Sequence, residues 1–122
     1  MIKENIFKDC CKEGFDKDEV YGAYKIFFGT LVSEPRLKII NCLRNKKMNV
    51  SELMAELKMD QTAVSHNLAR LRRCGFVIAE KDGKFVQYKL NDKTIKQFME
   101  IIEKHMAGHC VHILRGMKGE EK

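Results

Sequence analysis

Proline is nearly absent from this chain: Pro35 is the only one among 122 residues, and no Gly/Ser-rich stretch divides the sequence. No apolar run approaches the length that crosses a bilayer, and the opening residues MIKENIFKDCCKEG lack the apolar core of a signal peptide. These absences predict one domain in the cytoplasm and no membrane partner. We expect a flexible N-terminal arm at residues 1–16, a folded domain at residues 17–115 and a polar tail at residues 116–122.

Cysteine is present in an odd number, and nothing in the sequence indicates secretion. The five cysteines are Cys10, Cys11, Cys42, Cys74 and Cys110. A disulfide framework is therefore not expected, and reduced thiols of a cytosolic protein are the better interpretation. An enzyme with Cys110 as nucleophile and a histidine as base would also need an oxyanion site. The sequence has no Gly-rich loop or nucleophile elbow, so we predict that the protein is not an enzyme.

Positive charge is in excess, with 23 Lys and Arg against 17 Asp and Glu and a net charge of +6. This balance fits a polyanionic partner such as nucleic acid, although charge alone does not establish one. The order of the predicted helices and strands indicates whether the chain has a nucleic-acid-binding fold.

Four helices are predicted before residue 76. The first lies in DKDEVYGAYKIFFGTLV, where apolar residues recur every three or four positions. Typical N-cap residues precede each further helical pattern: Ser33, either Asn49 or Ser51, and Asp60. Gly75 follows the fourth helix, QTAVSHNLARLRR, in the position of a helix-terminating glycine.

The apolar period changes to that of strands in FVIAEKDGKFVQYKL, where Asp82-Gly83 separates two β-rich runs. Asp-Gly in this setting is a strong signal of a β-hairpin. One long amphipathic helix is then predicted to run to about residue 115. The expected fold class is mainly α with a β-hairpin wing: a winged helix-turn-helix with the order helix, helix, helix, helix, strand, strand, helix.

The fourth helix is the expected DNA-recognition helix. With Val64, Leu68 and Leu71 inside, the short polar side chains of its N-terminal half suit the major groove. Basic residues at its end and at the hairpin tip suit phosphates or the minor groove. The predicted DNA-binding residues are Gln61, Thr62, Ser65, His66, Asn67, Arg70, Arg72, Arg73, Lys81 and Lys84. The alternative to DNA binding is that this polar side of the helix is only an ordinary solvated surface, as runs of charged residues usually are.

Three segments, SEPRLKIINCL, NVSELMAELKMDQTAVSHNLARLRRCGFV and EKDGKFVQYKL, resemble the arsenic-repressor/SmtB (ArsR/SmtB) family of winged-helix repressors. The resemblance covers about residues 20–106. It implies a homodimer, formed by the first and last helices, that binds double-stranded operator DNA. It also implies that a metal or metalloid ion releases the DNA. A winged-helix interaction module that never touches DNA is the opposing hypothesis.

Two inducer sites of that family are not reproduced intact. Where one site has a Cys-x-Cys pair in the third helix, this sequence has Met54 and Glu56. Of the four positions that match the site between the last helices, only Asp92 and His105 hold the expected ligands. The resemblance therefore does not supply a complete metal site.

The stretch KHMAGHCVH, residues 104–112, is a candidate sensor in their place. Its three histidines share one helical face, and Cys110 adds a thiol, a mixed ligand set that suits Zn²⁺, Cd²⁺, Co²⁺ or Cu⁺. The adjacent cysteines Cys10 and Cys11 could share a soft metal or arsenite. The predicted metal ligands are Cys10, Cys11, His105, His109 and Cys110, joined within one subunit or across the dimer. No organic cofactor is expected. The first alternative is a repressor that senses redox or reactive sulfur through Cys110 and an arm cysteine. The second alternative is that the cluster only packs and is solvated.

Overall fold

The structure is a computed structural model that describes residues 14–120, with side chains described as far as residue 117. In this part of the chain the order is α1 (Lys17–Leu31), α2 (Glu34–Cys42), α3 (Val50–Leu57), α4 (Gln61–Arg73), β1 (Val77–Asp82), β2 (Phe85–Leu90), α5 (Ile95–Gly108) and α6 (Cys110–Glu120). The expected class, mainly α with a β-hairpin wing in a winged helix-turn-helix, is confirmed.

Side-chain caps fix where the first four helices begin. The Asn49 side chain accepts a hydrogen bond of 2.8 Å from the backbone N–H of Glu52. In return, the Glu52 side chain accepts a hydrogen bond from the backbone N–H of Asn49. Asp16 begins α1 with the same reciprocal arrangement. Ser33 and Asp60 cap α2 and α4 as predicted. Of the two candidates for α3 the cap is Asn49, and Ser51 lies within the helix.

One core joins the helices and the hairpin. Phe76, its largest fully buried side chain, stacks on Phe27 of α1 with ring centroids 5.1 Å apart. Phe27 also meets Phe98 of α5 edge to face at 5.1 Å. Each such aromatic pair stabilises the fold by about 0.5–1.5 kcal/mol in addition to the effect of burying its apolar area. These three rings therefore stabilise the packing of α1 and α5 against the helix-turn-helix. The other buried apolar residues are Val20, Ile39, Ile40, Leu43, Met48, Leu53, Val64, Leu68, Leu71, Val77, Leu90, Ile95 and Met99.

The hairpin is antiparallel, and Asp82 pairs with Phe85 at its tip. The first of the two turn residues, Gly83, has a φ of +63°, a conformation that costs other residues energy. The Asp-Gly hairpin prediction is confirmed. Tyr88 of β2 also exchanges backbone hydrogen bonds of 2.8 and 3.0 Å with Met48, which ties the wing to the segment before α3.

The last helix is interrupted, and the prediction of one continuous helix is wrong. His109 leaves the helical backbone, with φ −135° and ψ −70°, and separates α5 from α6. Gly108 precedes the break, and a glycine weakens a helix by about 1 kcal/mol relative to alanine. Helix α6 runs to Glu120, beyond the end predicted near residue 115.

None of the helices within residues 14–120 is both long and apolar enough to span a bilayer. The predicted arm at residues 1–16 lies mostly outside the described residues. Its last residue, Asp16, is the cap of α1.

Candidate nucleic-acid interface

Helices α3 and α4 form the helix-turn-helix. Lys58 ends α3 in the left-handed conformation, with φ 55° and ψ 45°, so the chain reverses before α4 begins. Val64, Leu68 and Leu71 bury one side of α4, with exposures of 0%, 2% and 0%. The opposite side of α4 is consequently turned to solvent.

The N-terminal half of α4 exposes four polar side chains that are able to form hydrogen bonds with a partner. Gln61, Thr62, Ser65 and His66 are all exposed. Positions 62, 65 and 66 are three and four residues apart, so they share one face of the helix. This face is accessible, as the DNA-binding prediction requires.

Four cations that are predicted to contact DNA phosphates or the minor groove are also exposed. Arg72 and Arg73 lie at the end of α4, whereas Lys81 and Lys84 lie at the tip of the hairpin. Their charges are therefore available to a polyanion.

Asn67 and Arg70 differ from the other predicted DNA-binding residues because they are half-buried and bonded within the protein. The Nδ2 atom of Asn67 donates to the carbonyl of Ala63 at 2.8 Å, and its Oδ1 accepts from Arg36 at 3.3 Å. The Nε–H of Arg70 donates to the hydroxyl of Thr30 at 3.1 Å. In this arrangement both residues hold α4 against the rest of the fold.

Thr30 is a polar residue that the sequence reasoning missed. It is fully buried at the end of α1, with an exposure of 0%. Its hydroxyl donates to the carbonyl of Ile26 at 2.7 Å, and its own carbonyl accepts from Nε of Arg36 at 2.8 Å. The only signal in the sequence is its position three residues after Phe27, on the inner side of α1, which does not reveal its partners.

One carboxylate in the hairpin pairs with two lysines. Glu80 lies 2.9 Å from Nζ of Lys47 and 3.0 Å from Nζ of Lys89. The hydrogen bond from Lys47 lowers the pKa of Glu80 most, and the bond from Lys89 lowers it further. The bond between Lys47 and Glu80 also raises the pKa of Lys47. Lys81 and Lys84 at the tip take no part in these ion pairs with Glu80, so their charges are available to a polyanionic partner.

The described residues assemble only part of the predicted metal site. The rings of His105 and His109 stack with centroids 4.4 Å apart. Cys110 is an exposed free thiol. Between residues 14 and 120, no three His, Cys, Asp or Glu side chains are grouped as metal ligands. The remaining predicted ligands, Cys10 and Cys11, lie outside the described residues.

The other described thiols, Cys42 and Cys74, are free and half-buried. Burial raises the pKa of Cys42, Glu56 raises it further, and Lys46 opposes this shift. A raised pKa disfavours the thiolate that binds metal, so Cys42 is better explained as a packing residue.

Apolar side chains are exposed along α1 and the last two helices. A groove of about 820 Å³ on α1 is lined largely by apolar residues, among them Phe15, Tyr24 and Phe28. Ile101 and Ile113 are 67% and 63% exposed. Exposed apolar patches often mark protein interfaces, so these side chains are available for the subunit contact predicted from the sequence.

Known sequences similar to this chain are transcriptional regulators. The profile of bacterial regulatory proteins of the arsR family matches residues 33–79. The regulator NmtR of Mycobacterium tuberculosis is 36% identical over 57% of this chain, and the match spans 58% of NmtR, less than two thirds of its length. The transcriptional activator HlyU of Vibrio cholerae is 32% identical, with 65% of this chain and 73% of HlyU covered. The cadmium resistance transcriptional regulatory protein CadC of Listeria innocua is 33% identical, with 71% of each chain covered.

Solved structures give the same fold. The crystal structure of Rv0081 from Mycobacterium tuberculosis matches with a TM-score of 0.72 and 26% identity, covering 78% of this chain and 96% of that one. The homodimeric winged helix-turn-helix DNA-binding domain Mb0332 of Mycobacterium bovis matches with a TM-score of 0.71. Its identity is 19%, with 92% of this chain and 95% of that chain covered, so it supports the fold alone.

Proposed function

The chain belongs to the arsR family of bacterial regulatory proteins, and we propose that within it the protein is a homodimeric repressor whose operator DNA is released by a metal or metalloid ion. That the protein is a DNA-binding transcriptional regulator and not an enzyme follows from its family. Three features are proposed: the residues that contact the base edges, the assembly of two chains and the inducing ion.

The observation that carries the DNA-binding proposal is the orientation of α4. Its apolar side is buried in the core, and the N-terminal half of its other side exposes Gln61, Thr62, Ser65 and His66. An α-helix fits the major groove, where amide side chains bond adenine edges and hydroxyls bond bases or phosphates. We assign base reading to these four residues and internal positioning to Asn67 and Arg70.

Sequence-independent affinity is assigned to the exposed cations. Arg72 and Arg73 at the end of α4, and Lys81 and Lys84 at the hairpin tip, are accessible to phosphates. Contacts of this kind fix the register of a protein on the duplex but do not read its sequence.

A homodimer is supported by the exposed apolar surface of the first and last helices. Phe28 on α1 is 49% exposed, and Leu114 and Met117 on α6 are 52% and 55% exposed. Two copies related by a twofold axis would bury these side chains and present two recognition helices to half-sites about one helical turn apart.

The inducer site is proposed at the break between α5 and α6. His105 and His109 would supply two imidazole nitrogens, and the exposed thiol of Cys110 follows directly. These groups suit a borderline or soft ion, but a tetrahedral site needs a fourth ligand. We assign that ligand to Cys10 or Cys11 of the same chain or of its partner. The relative CadC is named for cadmium resistance, which supports a metal as inducer.

A thiol-based sensor of redox or reactive sulfur is the second candidate. It is favoured by the exposure of Cys110 and by the lack of a three-ligand group within residues 14–120. Sensor thiols are accessible and have a partner thiol in reach, and Cys10 or Cys11 would be that partner.

Selection from a random duplex library tests the DNA-binding proposal. We expect the reduced, metal-free protein to enrich a duplex with twofold-symmetric half-sites and to bind it as two chains. Binding that is equally tight to selected and random duplexes would contradict sequence-specific repression.

Release of that duplex tests the inducer. The reduced protein is titrated at fixed salt with Zn²⁺, Cd²⁺, Co²⁺, Cu⁺ or arsenite, with His109→Ala as the test variant and His112→Ala as the control. We expect one ion to release the wild type and the control but not His109→Ala. Release by peroxide or persulfide that resists chelators would instead favour the thiol sensor.

A further inference from the structure

Thr30 is the centre of a polar cluster that joins three helices. Its side chain is fully buried, and its hydroxyl bonds to Arg70 and Cys74. Its backbone carbonyl accepts a hydrogen bond from Arg36. Arg36 belongs to α2, Arg70 belongs to α4, and Cys74 directly follows α4. We call Thr30, Arg36 and Arg70 the Thr30 clamp.

The hydroxyl of Thr30 is fully used. It has one proton and two lone pairs, and the proton goes to the carbonyl of Ile26 at 2.7 Å because that oxygen only accepts. The lone pairs are left for Nε–H of Arg70 at 3.1 Å and for Sγ of Cys74 at 3.2 Å, whose thiol then donates. Each bond has a defined direction, so the hydroxyl fixes where α4 lies against α1.

Arg36 provides a second connection to α4. Its Nε donates to the carbonyl of Thr30 at 2.8 Å, while Nη1 donates to Oδ1 of Asn67 at 3.3 Å. Asn67 is held in turn by the carbonyl of Ala63 at 2.8 Å. Helix α4 is therefore connected to the end of α1 at two positions one turn apart: directly through Arg70, and through Arg36 of α2 at Asn67.

The two bonded positions lie directly beside the exposed reading face. Asn67 follows Ser65 and His66 in the helix, and Arg70 is one turn further on. Burial of the apolar side of α4 sets which side of the helix faces the core. Apolar contact is non-directional, so it sets the finer rotation about the helix axis less strictly than directed bonds do. Hydrogen bonds weaken steeply with angle, so the clamp limits that rotation.

We propose that Thr30, Arg36 and Arg70 are positioning residues for DNA recognition, which set the rotation of α4 so that its four exposed side chains meet the base edges. This inference rests on the proposed reading role of α4. Because α1 also carries the exposed apolar surface assigned to the subunit contact, the same bonds set the spacing between the two recognition helices of a dimer.

The decisive comparison is Thr30→Val against Thr30→Ser in the full chain. Valine keeps the branched shape but removes the hydroxyl, and serine retains the hydroxyl. The readout is the ratio of affinity for a duplex selected by the wild type to affinity for a random duplex. We expect Thr30→Val to lower this ratio about tenfold, the effect of roughly one lost directed interaction. We expect Thr30→Ser to stay within twofold of the wild type.

The salt dependence separates positioning from charge. Arg70→Lys keeps the positive charge but replaces the Nε donor, so we expect a lower specificity ratio with an unchanged slope of log affinity against log salt. A loss confined to one base position would make Arg70 a direct base reader and would overturn the positioning role. We also expect the double variant Thr30→Val/Arg70→Lys to lose little more than either single variant, because both changes break one link. Additive losses would overturn the clamp.

Amide hydrogen exchange of the free protein tests the clamp without DNA. We expect Thr30→Val to speed exchange in α4 relative to the wild type and to leave α5 unchanged. Unchanged exchange in α4 would overturn the clamp. A wild type without preference for any duplex would overturn the proposed reading role instead, and the exchange result would still decide whether the clamp holds α4.

Discussion

The imidazole rings of His105 and His109 stack with their centroids 4.4 Å apart; His105 lies in the last turn of α5, and His109 follows its last residue, Gly108. The pair lies one helical turn apart and opens towards solvent, since both residues are exposed. Cys110 begins α6 immediately after the break in the helix. Two imidazole side chains and a thiol therefore lie close together at the break between α5 and α6.

Cobalt spectroscopy tests whether that joint binds metal through its thiol. We expect Co²⁺ to bind the reduced full chain with thiolate-to-cobalt absorption that is weaker in Cys110→Ser, because one sulfur ligand is lost. Cys42→Ser is the matched control and should leave the spectrum unchanged. Equal spectra for the wild type and Cys110→Ser would exclude this thiol as a ligand.

Removal of the cap of α4 should lower the stability of the fold. Asp60 accepts a hydrogen bond of 2.8 Å from the backbone N–H of Ala63 at the start of this helix. We expect Asp60→Ala to reduce the free energy of unfolding by about 1 kcal/mol, measured by urea denaturation. Asp92→Ala, in the exposed turn before α5, is the control. An equal loss in both variants would contradict the role of the cap.

The salt dependence of DNA binding should identify the phosphate contacts. We expect Arg72→Gln to reduce the slope of log affinity against log salt by about 0.9 if it removes one phosphate contact, with little change in sequence preference. Lys96→Gln on the exposed side of α5 removes the same charge and should leave the slope unchanged. Identical slopes for Arg72→Gln and the wild type would remove Arg72 from the interface.

The pair of lysines around Glu80 predicts a pH-dependent contribution to stability. Because the pKa of Glu80 is lowered in the folded chain, its carboxylate stabilises the fold above the unfolded pKa. This contribution is lost as the pH falls through the folded pKa. We expect Glu80→Gln to have a slightly lower Tm than the wild type at pH 7 and low salt, and the difference to vanish in acid.

Glu100→Gln, on the exposed surface of α5, is the control for that experiment. Since Lys47 is exposed and Lys89 is half-buried, added salt should also reduce the difference. A Tm difference that persisted unchanged in acid would show that the effect of Glu80→Gln is not electrostatic.

The fold was predictable because its signals are local. Asn49 and Asp60 cap the helices that they precede, and Gly83 occupies the hairpin turn that Asp-Gly predicted. Each of these features depends on residues within a few positions of one another. The break at His109 escaped prediction because the apolar period continues on both sides of it.

The candidate site was predictable only in part. Polar spacing on α4 predicted the exposed residues Ser65 and His66. It also grouped Asn67 and Arg70 with them, although the structure bonds both within the protein. The partner of Arg70, Thr30, is 40 positions away, and no periodicity in one sequence reveals a contact between such distant residues.

The most direct test of the reading role of α4 replaces its exposed face. Gln61, Ser65 and His66 are changed to alanine together, and affinities for the selected and random duplexes are measured at one salt concentration. The control is the single variant Gln97→Ala, an exposed glutamine on α5. Since each base contact contributes about 1–3 kcal/mol of discrimination, we expect the triple variant to lose most of its preference and keep its binding to random DNA. An unchanged preference in a folded triple variant would contradict the assignment of α4 as the reading helix.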